Sequence, residues 1–289
     1  MTSILTNLFD GVAYGMLLFV LACGLAVTLG LMNFVNLAHG AFAMLGGYAC
    51  VWLLDHLGVP FLVALPLAAL AAALAGVVLE RLLYRRLYGA SHLDQVLFSI
   101  GLVFMSIASA TYLFGDQQQP LVLPHYLRQA WHWPGLDFDA YSLLLIVVGA
   151  VLAGVLHWMV TRTRFGASLR AAVDNPRAAR GLGIDVERVF IATFALGSAL
   201  AGLGGALGIQ MLGLNPEYPI QYIVYFLIVV AVGGTGSISG SLLASLLLGV
   251  ADVAGKYYLP QFGAFVIYVV MVLTLIFRPQ GLFGRSAAK

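Results

Sequence analysis

Asn33, Asn36 and His39 are the closest group of hydrogen-bonding side chains within an otherwise apolar stretch. Asn36 and His39 stand three apart, so a helix that includes both sets them on one face. Two readings fit. The three line a polar path or a hinge at the start of an apolar segment, or Asn36 caps that segment and His39 meets a carbonyl of a neighbouring helix. In either case such groups need partners in a low dielectric and must point inward. Thr235, Ser237 and Ser239 form a second group, inside the glycine-rich run Gly233–Gly240. Either a discontinuous helix exposes their polar atoms along a path, or the run is a tight turn between two helices. The third group is segment 161–188, which carries Arg162, Arg164, Arg170, Arg177, Arg180 and Arg188.

Other chemistry lacks its residues. His56, His92, His125, His132 and His157 are scattered, without the spacing of a metal site or of a convergent catalytic set. No Gly-x-x-x-x-Gly-Lys-Ser/Thr run cradles a phosphate, and the lysines are Lys256 and Lys289. A proton relay calls for acidic residues inside apolar segments. Here Asp10, Asp55, Glu80, Asp94, Asp116 and Glu217 sit at segment ends or in loops, and Asp252 comes nearest to an interior position. Cys23 and Cys50 lie in apolar runs, as free buried small residues do. The expectation is a chain that is not an enzyme, with no catalytic residue, no metal and no cofactor of its own.

The elements around these groups are membrane helices. Of 289 residues, 62% are hydrophobic and 9% are charged, against about 25% charged in an ordinary soluble domain. That composition excludes a soluble fold, disorder and a disulfide scaffold. A span needs about 20 apolar residues. The runs are Leu8–Leu29, Leu37–Leu57, Phe61–Leu79, Leu93–Phe114, Ala140–Val160, Val189–Leu212, Ile220–Val232, Ile238–Ala254 and Phe262–Phe277. The seventh is short before its glycines, so an all-α polytopic bundle of eight or nine helices is expected, as one transmembrane domain over 1–289. The first run lacks a basic leader and is read as retained.

Basic residues orient the bundle. Arg81, Arg85 and Arg86, the six arginines of 161–188, and Arg278, Arg285 and Lys289 share one side if the spans alternate, leaving Arg128 and Lys256. That side is read as cytoplasmic. The N-terminus then lies outside and the C-terminus inside, which favours nine crossings. Loop 115–139, with Asp116, Asp137 and Asp139, falls on the outer face, Trp131 and Trp133 at headgroup level. Gln210, Asn215 and Glu217 near the outer end of the sixth span face a pathway mouth or simply solvent. Small-residue stripes at Gly197, Ala201 and Gly205 and at Gly236, Gly240 and Ala244, with Gly233 beside them, suit close helix packing.

Within 161–188, Ser168–Val173 reads as a short helix. Asp174 or Asn175 caps a second one with Pro176 at its first position. Ala178, Ala179 and Leu182 give it a small apolar face, and Gly183 ends it. Arg170, Arg177 and Arg180 are expected to project from this corner.

The run Phe165-Gly-Ala-Ser-Leu-Arg-Ala-Ala, followed by Asn175-Pro176, Ala178-Ala179 and Gly181-Leu-Gly-Ile184, resembles the cytoplasmic coupling loop of branched-chain amino acid ABC transporter permeases. Three further blocks resemble that family in order: Gly30-Leu-Met-Asn-Phe-Val-Asn-Leu-Ala-His39 and its continuation to Tyr48, Gly233-Gly-Thr-Gly-Ser-Ile-Ser-Gly240, and Phe277-Arg-Pro-Gln-Gly-Leu-Phe-Gly284. The likeness spans the chain and is strongest to the first membrane subunit of leucine/isoleucine/valine importers. Related systems carry urea, short amides or other amino acids. The resemblance implies a bacterial inner-membrane subunit with four kinds of neighbour: a second related permease, two cytoplasmic ATPases that use the ATP, an extracytoplasmic solute-binding protein, and lipid. It implies that Leu169, Arg170, Asn175, Pro176, Arg177, Ala178, Ala179, Gly181 and Gly183 belong to the part that sits in the ATPase. A stand-alone channel or secondary transporter is the competing class.

Overall fold

The computed structural model describes residues 2–32, 34, 36–133 and 136–283. Asn33, Val35, Gly284, Arg285 and Lys289 of the groups named above lie outside the described residues.

The apolar runs form helices α1 (Thr2–Met32), α2 (His39–Leu57), α3 (Phe61–Leu82), α4 (His92–Phe114), α5 (Ala140–Arg162), α8 (Val186–Leu212), α9 (Tyr218–Gly233), α10 (Ile238–Tyr258) and α11 (Gly263–Phe277), with α6 (Arg164–Asp174) and α7 (Pro176–Gly181) between α5 and α8. Seven of them are long and apolar enough to cross a membrane, and α9 and α11 are shorter apolar helices. The chain is an all-α polytopic membrane protein. One departure is a small antiparallel hairpin, β1 (Ala130–Trp133) with β2 (Leu136–Asp139), inside loop 115–139.

Two ends of the bundle are distinct. At the hairpin end, Phe9 of α1 packs on Phe138 of β2, Phe61 at the start of α3 on Tyr141 at the start of α5, and Gln119 N–H donates to the Leu214 carbonyl just past α8. At the arginine end, Arg85 pairs with Glu187 at the start of α8. Gly30 near the end of α1 lies against Gly236. The residues after α11 return there too, with Leu282 N–H donating to the Val232 carbonyl (2.7 Å) and Phe283 N–H to the Gly233 carbonyl (3.2 Å).

These anchors fix direction. α1 and α3 run from the hairpin end to the arginine end, whereas α8 and α10 run the opposite way. α2 and α9 each follow the long helix before them through a non-helical link. The two most extensive interfaces are α1 with α10 and α3 with α8. Order, direction and pairing together define an inverted repeat, α1–α4 against α8–α11, of the sort on which many transporters are built. Loop 115–139 and α5–α7 connect the two units.

Close packing rests on glycine. A methyl group on Gly40 would sit 2.8 Å from Pro219 Cα, and one on Gly233 would sit 2.6 Å from the Gly240 carbonyl carbon. Gly205 faces the Ala43 carbonyl, Gly202 lies near Gly46, and Gly197 faces Thr28 and the Gly24 carbonyl, with Ala201 fully buried among them.

Candidate functional site

The interior polar groups gather where α2 begins. α2 does not continue from α1 at the surface. Its first residue, His39, donates from Nε2 to the Leu21 carbonyl at 2.8 Å. Leu21 lies eleven residues before the end of α1, about 16 Å back along the axis. The link into α2 therefore runs back into the bundle, and its described residues, Phe34 and 36–38, are non-helical. Backbone of that sort at membrane depth persists only where protein covers it, and the cover is visible. Phe34 is buried edge-on to Tyr84 and Tyr88. Asn36 is buried, and its Oδ1 accepts from Ala38 N–H (3.1 Å) and from the Tyr84 hydroxyl (2.9 Å). His39 is 1% exposed and packs edge-on to Phe226 of α9. Asn36 and His39 thus lie together and are both satisfied by protein. The second span starts at His39, two residues later than Leu37, because 36–38 form a turn held by the Asn36 side chain.

α9 starts beside the last turns of α8. The Tyr222 hydroxyl donates to the Leu212 carbonyl, and Tyr218, wholly buried, reaches Gly208. The contact of Gly40 with Pro219 brings the first turns of α2 and α9 together inside the bundle. Each brings the partial positive charge of a helix N-terminus. Beside this junction, Ala38, Ala41 and Phe42 face Met105, Ser106 and Ala110 of α4 across an apolar cavity of about 260 Å³.

Thr235, Ser237 and Ser239 are elsewhere. Thr235 and Ser237 occupy the turn between α9 and α10 at the arginine end, where Gly234 and Gly236 hold positive φ, and Ser239 lies in the first turn of α10. Of the two readings of this run, the geometry is that of the turn. Ser237 Oγ accepts from Gly240 N–H at 3.0 Å, capping α10, and Thr235 and Ser239 are exposed. The interruption at membrane depth falls just before His39 instead, where Phe34 and 36–38 are non-helical.

The arginine-end corner is built from its capping residues. Thr163 donates to the Met159 carbonyl (2.6 Å) and accepts from Gly166 N–H (3.2 Å), bending α5 into α6. Gly166 is required there, since a side chain would run into the Met159 and Val160 carbonyls. α6 spans eleven residues rather than Ser168–Val173 alone. Asn175, not Asp174, caps α7, accepting from Arg177 N–H (3.1 Å) and Ala178 N–H (3.0 Å), with Pro176 next. Gly183 at φ +82° lets Ile184 N–H return to the Ala179 carbonyl.

The side chains of this corner divide by face, and two expectations change. Arg170 does not project. Its guanidinium folds back on the Val160 carbonyl and ties α6 to α5. Ala179 does not face outward. It is 2% exposed and packs with Ala172 and Val186, as Leu169 is buried too. Pro176, Arg177, Ala178, Arg180, Gly181 and Gly183 are exposed, and Leu182 is 80% exposed. Leu182 is the outward apolar residue. In the sequence it reads as part of the same apolar face as Ala179, because a six-residue helix is too short for periodicity to separate inside from outside.

An inverted pair of helical units, with non-helical links folded back beside their long helices, defines a polytopic membrane transporter. Among the described residues no group of histidine, cysteine and acidic side chains could hold a metal. Residues 7–275 match the family described as branched-chain amino acid transport system / permease component, and the chain belongs to that family. It is similar to the high-affinity branched-chain amino acid transport system permease protein BraD of Pseudomonas aeruginosa, with 29% identity covering 97% of this chain and 96% of that one. It is similar to the probable branched-chain amino acid transport permease protein LivH of Methanocaldococcus jannaschii, 28% identical over 94% and 90% of the two chains. It also resembles the permease protein LivM of Escherichia coli, 28% identical over 94% of this chain and 68% of that one. No solved structure matches.

Proposed function

We propose that this chain is a membrane-spanning subunit of an ATP-driven importer for leucine, isoleucine and valine in a bacterial inner membrane. It works with a second related permease, two cytoplasmic ATPases and an extracytoplasmic binding protein. The observation that carries the reading is the α6–α7 corner. It is a rigid, capped knob at the arginine-rich end, its inner face packed on α8 and its outer face presenting Leu182, Arg177 and Ala178. By the distribution of basic residues that end is cytoplasmic, which puts the N-terminus outside and the C-terminus inside. The ATPase takes the knob, and its movement passes through α6 and α8 to the bundle. Within the bundle, the first turns of α2 and α9 attract a carboxylate, and the neighbouring apolar cavity suits an aliphatic side chain. The Asn36 and His39 region acts as the hinge of that path. Thr235, Ser237 and Ser239 shape its cytoplasmic mouth.

Co-purification in mild detergent tests the reading. The wild-type chain is expected to bring down two ATPases and a second permease. Leu182→Asp is expected to lose the ATPases while the chain stays monodisperse and membrane-inserted. Leucine uptake that continues without any ATPase would favour the channel or secondary-transporter class and overturn the proposal. Urea or amide uptake without leucine uptake would overturn the substrate.

A further inference from the structure

Glu80 is a buried acidic residue that neither the hinge nor the knob uses. It sits two residues before the end of α3, is 1% exposed, and lines a pocket of about 360 Å³ at the arginine end. Oε1 accepts from the Tyr88 hydroxyl at 2.8 Å, and Oε2 is buried without a hydrogen-bond partner. A buried carboxylate oxygen left bare is costly. The rest of the wall explains what it is for. Phe190 and Tyr88 meet edge-on at 5.4 Å and, with Val186 and Pro176, make an apolar and aromatic lining. Arg85, paired with Glu187, and Arg180 complete the wall. Arg180 has no ion-pair partner among the described residues.

We propose that this pocket binds a free α-amino acid with an apolar side chain. The ammonium pairs with Glu80 Oε2 beside the faces of Tyr88 and Phe190, as cations favour. The carboxylate pairs with Arg180 and Arg85, which suit it by shape and charge. The side chain lies on Val186, Pro176 and Phe190. A basic side chain from a docked protein is the poorer occupant, because it must bring its charge past two guanidinium groups. A zwitterion satisfies both signs. The pocket is shared by the end of α3, the link to α4, the first turn of α8 and α7. A bound amino acid therefore clamps the knob to the bundle, and the side of the membrane carrying the knob senses the solute. Binding is a property of this chain alone. Only its consequence for import rests on the function proposed above.

The test is equilibrium dialysis of the purified full-length chain in detergent against radiolabelled leucine. Saturable binding is expected. Leucinamide, which lacks the carboxylate, and 4-methylpentanoate, which lacks the ammonium, should each compete at least about tenfold more weakly than leucine, the loss of one charge-assisted contact. Glu80→Gln and Arg180→Gln should each weaken binding by a similar factor. Met105→Trp fills the apolar cavity between α2 and α4 that is proposed above to hold solute, so these variants are compared in that background, where the saturable binding that remains is that of the Glu80 pocket. Arg180 is at the surface, so Arg180→Gln carries the test if Glu80→Gln is not monodisperse. Four results overturn the proposal: no saturable binding by the monodisperse wild type, none left in monodisperse Met105→Trp, full binding retained when Arg180→Gln is added to Met105→Trp, or leucinamide competing as well as leucine. Loss of ATPase co-purification in Glu80→Gln without any leucine binding would assign the pocket to a protein side chain and also overturn it.

Discussion

The two inverted units solve one problem in different ways. In the first, α2 starts about 16 Å inside the end of α1, and the link is held by side chains: Asn36 to Tyr84, His39 to the Leu21 carbonyl, Phe34 between Tyr84 and Tyr88. In the second, α9 starts beside the last turns of α8, and tyrosines hold it, Tyr222 to the Leu212 carbonyl and Tyr218 in the core. The first link is tied to the arginine end, because Tyr84 lies in the 3-10 turn after α3 and packs at 4.6 Å on Phe194 of α8. The second faces the hairpin end. Two copies of one plan have therefore diverged in what they touch. A displacement at the arginine end reaches the first link through its own packed neighbours, and the second by way of the first, through Gly40 against Pro219 and His39 against Phe226.

Four substitutions break or sharpen this contrast. Gly205→Leu should have the largest effect. Its side chain would meet the Ala43 backbone, which cannot yield as a side chain does, so the loss should exceed the ~1–3 kcal/mol of ordinary overpacking. Fluorescence-detected size-exclusion should show almost no folded chain, and normal yield would refute the role of glycine in seating α2 on α8. His39→Ala comes next, at roughly 2–4 kcal/mol for a cavity beside Phe226 and a lost hydrogen bond, read from thermal unfolding in detergent. Tyr84→Phe removes only the hydroxyl that serves Asn36 and should cost about 1 kcal/mol, measured the same way. Tyr222→Phe at the second link is expected to cost about 0.5 kcal/mol, since that ring is only partly buried. If Tyr222→Phe proved as damaging as His39→Ala, the two links would be equally dependent on side chains and the contrast would fall.

Much of the fold is legible in the sequence because hydrophobicity sets helix length directly. All nine apolar runs are helices, and Asn175-Pro176 places the start of α7 to the residue. Depth is not legible in the same way. An Asn-x-x-His stretch after an apolar helix reads as groups that point inward, but how deep the link sinks beside α1 is set by tertiary contacts to Leu21 and Pro219. The turn at 233–237 carries the stronger local signal, its glycines, yet it lies at the end of the bundle. Facing is lost for the same reason in short elements: Arg170 and Ala179 look like outward groups until α5 and α8 supply their partners. The hairpin at 130–139 depends on pairing across the strands, Trp131 with Phe138, which no helical period announces. Glu80 reads as the polar end of a span, and its burial follows from Tyr88, whose place is set by the link between α3 and α4.

The return of the last described residues to α9 has a consequence in time. Leu282 and Phe283 supply the N–H groups that close the Val232 and Gly233 carbonyls, and Gly281 lies against Gly234. These residues are made after α10 and α11. The end of α9 thus waits, during synthesis, until α10 and α11 have been made before its carbonyls are closed. Stop codons placed before Leu282 would release proteins in which α1–α11 have been inserted but the α9–α10 turn is unlatched, and cellular proteolysis of such truncations would report how much quality control reads that late contact.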